Sequence, residues 1–228
     1  MPTYPPTSRP ITRREPVIAS LVDPIPVPTH GLGGTFTVLA KSYVAAPPSV
    51  VLQTIRNTNE WHKWNSFCPR CVIDPKSALS LTPSSGNAAL EIGKEGWLEV
   101  GTIAVLEVFM TGEGLVEGKK KSREQGIVVM KLEPLVGGRK GYMIAWKSTG
   151  FSHWQLHSER VMEFAENPSG GTDYCCWETF GGLLGSVVKA TVGGQLVNRF
   201  GDYARDVKAF VEGGKAVAGE GEGVIGSI

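Results

Sequence analysis

Residues 172–211 read TDYCCWETFGGLLGSVVKATVGGQLVNRFGDYARDVKAFV. The first nine are rich in aromatic and β-branched residues and stop at Gly181-Gly182, which predicts a strand followed by a break. Beyond it Leu184, Val188, Val192, Leu196, Phe200, Tyr203, Val207 and Phe210 recur at three- and four-residue steps. That is one apolar stripe on a long helix. A helix with a single apolar face must bury it, and a strand running directly into it supplies the surface. Gly193-Gly194 interrupts the stripe. Each glycine costs about 1 kcal/mol relative to alanine in a helix, so a kink is expected there.

Upstream, four segments carry the period of a strand. In 97–110, Leu98, Val100, Thr102, Ala104, Leu106, Val108 and Met110 alternate with Glu99 and Glu107. In 122–132, Val128, Met130 and Leu132 oppose Lys131 and Glu133. In 141–148, Tyr142, Ile144 and Trp146 oppose Lys147. In 153–166, Met162 and Phe164 oppose Glu159 and Glu163. Short turns rich in Gly and Pro separate them, which implies an antiparallel meander. Further upstream lie a strand at 35–44, the break Ala45-Ala46-Pro47-Pro48, an amphipathic helix at 49–57, a helical turn at 59–65 and a short strand at 68–73. Residues 75–95 read as a loop with a little strand at 88–92. The order is β-α-α-β-β-β-β-β-β-α: an α+β domain with a seven-stranded antiparallel sheet around a long C-terminal helix. Residues 1–33 read as a Pro-rich tail along the surface and 213–228 as a flexible Gly-rich tail, leaving 34–212 as the domain.

Charge is nearly balanced, with 23 Lys+Arg against 22 Asp+Glu, so no basic excess exists to neutralise a nucleic acid. Lys119-Lys120-Lys121 reads as an exposed hairpin tip. No apolar run is long enough for a transmembrane segment, and the N-terminus lacks the apolar core of a secretory signal. The protein is expected in the cytoplasm with reduced thiols. Cys68-Pro69-Arg70-Cys71 and Cys175-Cys176 do not make a zinc site, because neighbouring cysteines in a strand point to opposite faces. His153 and His157 are expected to point outward with Glu159; a metal would need a third ligand. His62 reads as surface or rim. No nucleophile elbow, phosphate loop, dinucleotide fingerprint or HExxH occurs, and no cofactor is expected.

Three stretches are similar to a known superfamily. They are Ser42-Tyr43-Val44-Ala45-Ala46-Pro47-Pro48-Ser49-Val50, Asn59-Glu60-Trp61-His62-Lys63-Trp64-Asn65, and 171–182 leading into the long helix. Together with the element order they resemble the START/Bet v 1-like superfamily, which includes polyketide cyclase/dehydrase and lipid-transport domains. The resemblance implies a helix-grip fold with an internal cavity for an apolar small molecule: a lipid, sterol, quinone or polyketide-like metabolite. The alternative it implies is a cofactor-free cyclase, dehydratase or isomerase. Strand parity puts Leu106, Met110, Val128, Met130, Tyr142, Ile144, Trp146, Met162, Phe164 and Phe180 on the inner face, with Leu184, Val188 and Val192 facing them from the helix and Trp64 from the helical turn. Arg160 and Glu178 share that inner parity. A buried charge needs a partner, and adjacent strands bring Glu178 to Arg160. The pair is a candidate ligand anchor or catalytic group, and equally a structural ion pair.

Overall fold

A computed structural model describes residues 9–78, 90, 94–112, 114–116 and 121–219. The elements are β1 (Ile18–Val22), β2 (Phe36–Val44), α1 (Pro48–Arg56), α2 (Trp61–Trp64), β3 (Arg70–Ile73), α3 (Pro75–Ala78), β4 (Ile103–Val108), β5 (Arg123–Pro134), β6 (Gly141–Ser148), β7 (His157–Glu166), β8 (Thr172–Gly181) and α4 (Gly185–Gly219), with a 3-10 turn at Thr58–Glu60 before α2. Of the strand expected at 88–92 only Leu90 is described, buried in the core, and the tip at Lys119 and Lys120 lies outside the described residues.

The sheet is antiparallel, in the order β1-β2-β8-β7-β6-β5-β4-β3. β4 to β8 form the expected meander. β2 then adds to the free edge of β8, with Phe36 opposite Phe180 and Val44 opposite Thr172. α1 starts where Pro47 ends the extended backbone and Pro48 takes a first-turn position, where its missing N–H costs nothing. It buries Val51, Leu52 and Ile55. α4 buries Leu196, Phe200, Tyr203, Ala204, Val207 and Val211, a single stripe. The concave face of the sheet, α1, α2 and α4 close around one core.

Three expectations change. The sheet has eight strands, because residues 18–22, assigned to the tail, pair with β2 from Ile18 opposite Lys41 to Val22 opposite Thr37. The rest of that segment crosses the convex face, where Val27 and Ile25 pack on Met143, Ala145, Val161, Cys175 and Trp177. This second apolar layer explains why β7 and β8 are buried on both sides. α4 runs unbroken through Gly193-Gly194 and on to Gly219, past the boundary expected at 213. Two glycines of the helix face β1: a Cβ at Gly193 would meet Leu21 Cδ1 at 3.4 Å and one at Gly201 would meet Ala19 Cβ at 3.4 Å, whereas one at Gly194 would meet open space. The helix therefore lies directly against β1.

The third change is one of phase. Between Val129 and Lys131 the β5–β6 register shifts: Val129 pairs with Trp146, but Lys131 pairs with Ala145. Met130 is the extra residue of a bulge, and a bulge inverts the faces on either side of it. Leu132 is concave as expected. Upstream of the bulge, Ile127 and Val129 are the buried concave residues. Val128 and Met130, assigned to the inner face by alternation, belong to neither apolar cluster.

Candidate functional site

Arg160 on β7 lies directly opposite Glu178 on β8. Opposed residues of an antiparallel pair share a face, so both point into the concave side. Arg160 Nε donates to Glu178 Oε2 at 2.8 Å, and Nη2 lies 2.8 Å from the same oxygen. The Ser158 hydroxyl donates to Glu178 Oε1 at 2.6 Å. The guanidinium carbon lies 4.4 Å from the ring centre of Phe200, 5.3 Å from Phe67, 5.8 Å from Trp146 and 5.9 Å from Tyr203. Four rings with electron-rich faces suit a cation.

Burial opposes the charge on Arg160, and the adjacent Glu178 carboxylate more than reverses that effect, so the guanidinium stays protonated. Burial raises the Tyr174 and Tyr203 hydroxyls well above the ordinary tyrosine value, which keeps both as neutral O–H groups. It pushes the Cys176 thiol up to about 11 and Cys68 to about 12, so neither is a thiolate nucleophile at neutral pH.

Several donors here have nothing to bond. Trp64 Nε1 and Tyr203 Oη are buried without a hydrogen-bond partner. Tyr174 Oη has no oxygen or nitrogen partner and lies beside the Cys176 thiol. Buried polar groups are normally paired, so unpartnered donors on the concave side, with Tyr203 beside Arg160 and Trp64 beside Tyr203, mark a place for an acceptor. Arg160 and Glu178, in the middle of the sheet, still keep 8% and 13% of their side-chain exposure. Space therefore reaches them.

Phe67, which sequence periodicity could not find because it sits in a loop, is held over Arg160 by three anchors. Asn65 Oδ1 accepts from Cys68 N at 2.8 Å. Asp206 Oδ2 on α4 accepts from Ser66 N at 2.9 Å and Ser66 Oγ at 2.6 Å. Phe67 O accepts from Phe109 N at 2.9 Å. The site thus joins β6, β7, β8, α4 and this loop.

Of the other sequence-derived residues, Leu106, Ile144, Trp146, Met162, Phe164, Phe180 and Trp64 are buried in the same core, and Met110, Tyr142, Val188 and Val192 pack against it partly buried. Val128 falls on the opposite face, and Met130 is the unpaired residue of the bulge. Leu184 precedes α4 and is 41% exposed, too far forward on the stripe to be covered by the sheet. Tyr174, Tyr203, Phe200, Ile127 and Val129 are additions. The four cysteines are free, and no group of His, Cys, Asp and Glu among the described residues is arranged to hold a metal. A separate cleft of about 600 Å³ opens at the β3 edge between Thr58, Cys71, Lys94 and Trp97; no residue of β6 to β8 lines it. No helix among the described residues is long and apolar enough to cross a membrane.

No family model matches the chain. It is 29% identical over 201 residues to the oxopyrrolidines biosynthesis cluster protein O of Penicillium oxalicum, covering 83% of this chain and 92% of that one. Among solved structures it is similar to a hypothetical protein of Helicobacter pylori, with a TM-score of 0.53 and 10% identity over 91% of this chain and 92% of the other. It is also similar to the major latex-like protein 151 of Panax ginseng, with a TM-score of 0.51 and 9% identity over 79% of this chain and 98% of that one. The likeness to these structures is one of fold, and the fold of this chain is a helix grip: an antiparallel sheet around one long C-terminal helix.

Proposed function

We propose that the protein binds one mostly apolar small molecule between the concave face of the sheet and α4, and that Arg160 and Glu178 orient an oxygen of that molecule. The observation that carries this reading is the ion pair itself: a charged pair at the centre of an apolar face, ringed by aromatic side chains, one of which, Tyr203, has a buried hydroxyl without a partner. Ligand sites are mostly apolar hollows with a few convergent polar groups. Tyr174, Tyr203, Trp64 and the guanidinium all offer hydrogens, so the ligand oxygen they suit is a carbonyl or another acceptor. Ile144, Trp146, Met162, Phe164, Phe180, Val188 and Val192 supply apolar contact. The ligand-binding unit is residues 34–212, together with the N-terminal segment that packs on it.

The name of the Penicillium relative favours a secondary metabolite over a bulk lipid, and it supports a second reading. In that reading the protein shapes a flexible carbonyl substrate for cyclisation or isomerisation. Arg160 polarises the carbonyl, and Glu178 accepts the proton lost from the neighbouring carbon. No cofactor is required by either reading.

Native mass spectrometry of freshly purified protein tests the first reading. The expected result is a defined adduct that is released on denaturation and identified as an apolar compound bearing a carbonyl. The variant Arg160→Met/Glu178→Met is expected to remain folded and to lose most of the adduct. An adduct retained in full by the folded double variant would remove the ion pair from the site.

A further inference from the structure

Residues 24–31 form a strap across the convex face, on the opposite side of the sheet from the ion pair. A tight turn closes it, with Val27 N donating to Gly31 O at 3.1 Å and Gly31 N to Val27 O at 2.8 Å. Val27 and Ile25 supply its apolar contact. Two threonines pin one end: Ile25 N donates to Thr37 Oγ1 at 2.9 Å, and Thr179 Oγ1 donates to Ile25 O at 2.7 Å. The other end is held by one carboxylate. Glu159 accepts from Thr29 N at 2.8 Å, Thr29 Oγ1 at 2.9 Å and His30 N at 3.3 Å.

The His30 ring is inserted among two others. It lies 4.8 Å from the ring centre of His153 and 4.6 Å from that of His157, which are stacked 3.9 Å apart. His157 Nδ1 is tied to His153 O at 2.6 Å, and His30 Nε2 is buried without a partner. Here is the third histidine that the sequence did not supply for the His153/His157 pair. The nitrogens do not converge on a metal position. What the geometry does provide is three imidazoles in van der Waals contact, with the His30 ring packed against the other two.

We propose that this histidine cluster is an acid-sensitive latch: proton uptake below neutral pH detaches residues 24–31 from the sheet. Undocked, His30 titrates near its ordinary value of about 6.5. Docked, burial first, then His157, His153 and Lys147, push it down to about 4. Between those values the undocked strap binds the extra proton, so docking strengthens as pH rises and weakens as pH falls. One proton shifts the equilibrium by up to about tenfold per pH unit; solvent screening at a half-buried ring reduces that figure. The groups around the ring are His153 on the turn, His157 and Glu159 on β7, and Lys147 on β6, opposite Glu159. Lys147 adds to the repulsion. Glu159 acts in the other direction: burial raises its carboxyl, so its own protonation favours the docked state, while the three donors of the strap pull it back. In the latch the His30 ring sets the net sign.

Hydrogen–deuterium exchange of the full chain at pH 7.5 and pH 5, corrected for intrinsic rates, tests the latch. The amides of Ile25, Thr29, His30 and Gly31 are expected to lose at least roughly tenfold in protection at pH 5, while those of β7 and β8 facing the core stay protected. His30→Phe keeps an apolar ring without a titrating group and is expected to abolish the pH dependence. Constant protection across the range, or a dependence that survives in His30→Phe and disappears in Glu159→Gln, would overturn the proposal. Should His30→Phe leave the strap undocked at pH 7.5, an NMR titration of wild-type His30 decides: a midpoint well below 6 supports the latch, and one at the ordinary value refutes it.

Discussion

Glu178→Ala is expected to lower the unfolding free energy by about 3–5 kcal/mol, the usual loss when one partner of a buried ion pair is removed. Arg160 keeps only 8% of its exposure, and the Glu178 carboxylate is its ion-pair partner. Without it, four aromatic rings remain, and they compensate a desolvated guanidinium only in part. Replacing both charges by methionine removes the penalty together with the attraction, and the double variant is expected to unfold within about 1–2 kcal/mol of wild type in either direction. Urea denaturation measures both. A loss under about 1 kcal/mol for Glu178→Ala would mean that water already solvates Arg160, and the site would then be an open groove. The double variant separates folding from recognition, because it retains the apolar walls while deleting the anchor.

The second large effect concerns two adjacent valines. Val129→Asp is expected to cost about 4 kcal/mol or more, enough to leave the protein largely unfolded, because it puts a carboxylate without a partner into the core. Val129 is 1% exposed and pairs with Trp146. Val128→Asp is expected to cost about 1 kcal/mol or less, since Val128 sits opposite Ile103, which is 46% exposed, on the convex side. The alternation read from the sequence predicts the reverse order. Comparing expression and melting temperature of the two variants decides between the phases; a more damaging Val128→Asp would place the bulge elsewhere.

That pair shows where sequence reasoning stops. The meander and α4 were readable because their apolar periods are long and uninterrupted, from Leu184 to Phe210 in the helix and through Met162 and Phe164 in β7. Arg160 and Glu178 could be matched because a short turn at 167–171 joins their strands. The bulge left no trace, since Val128, Val129 and Met130 are all apolar and any phase fits them. β1 was hidden for a different reason. Its five residues IASLV lie between Pro16 and Pro24, and a segment with so many prolines reads as irregular until an adjacent strand is there to pair with it. Phe67 and His30 are contributed by loops, where tertiary contacts decide direction and no period exists.

The pairing of β2 with β8 has a consequence for how the chain is made. Phe36 waits for Phe180, and α4 follows β8. On the ribosome, β2 emerges early and must remain without its central neighbour until nearly the whole domain has been synthesised. The meander of β4 to β8 pairs strands that follow one another in the chain and can assemble first; β2, with β1 and the strap behind it, then docks onto a sheet already formed. Contacts so distant in sequence slow folding. They also leave the edges of β2 and β7, the two neighbours of β8, open to strands of other chains during that interval. Nascent chains stalled before residue 172 are therefore expected to need chaperones, whereas a full-length chain closes its own edge.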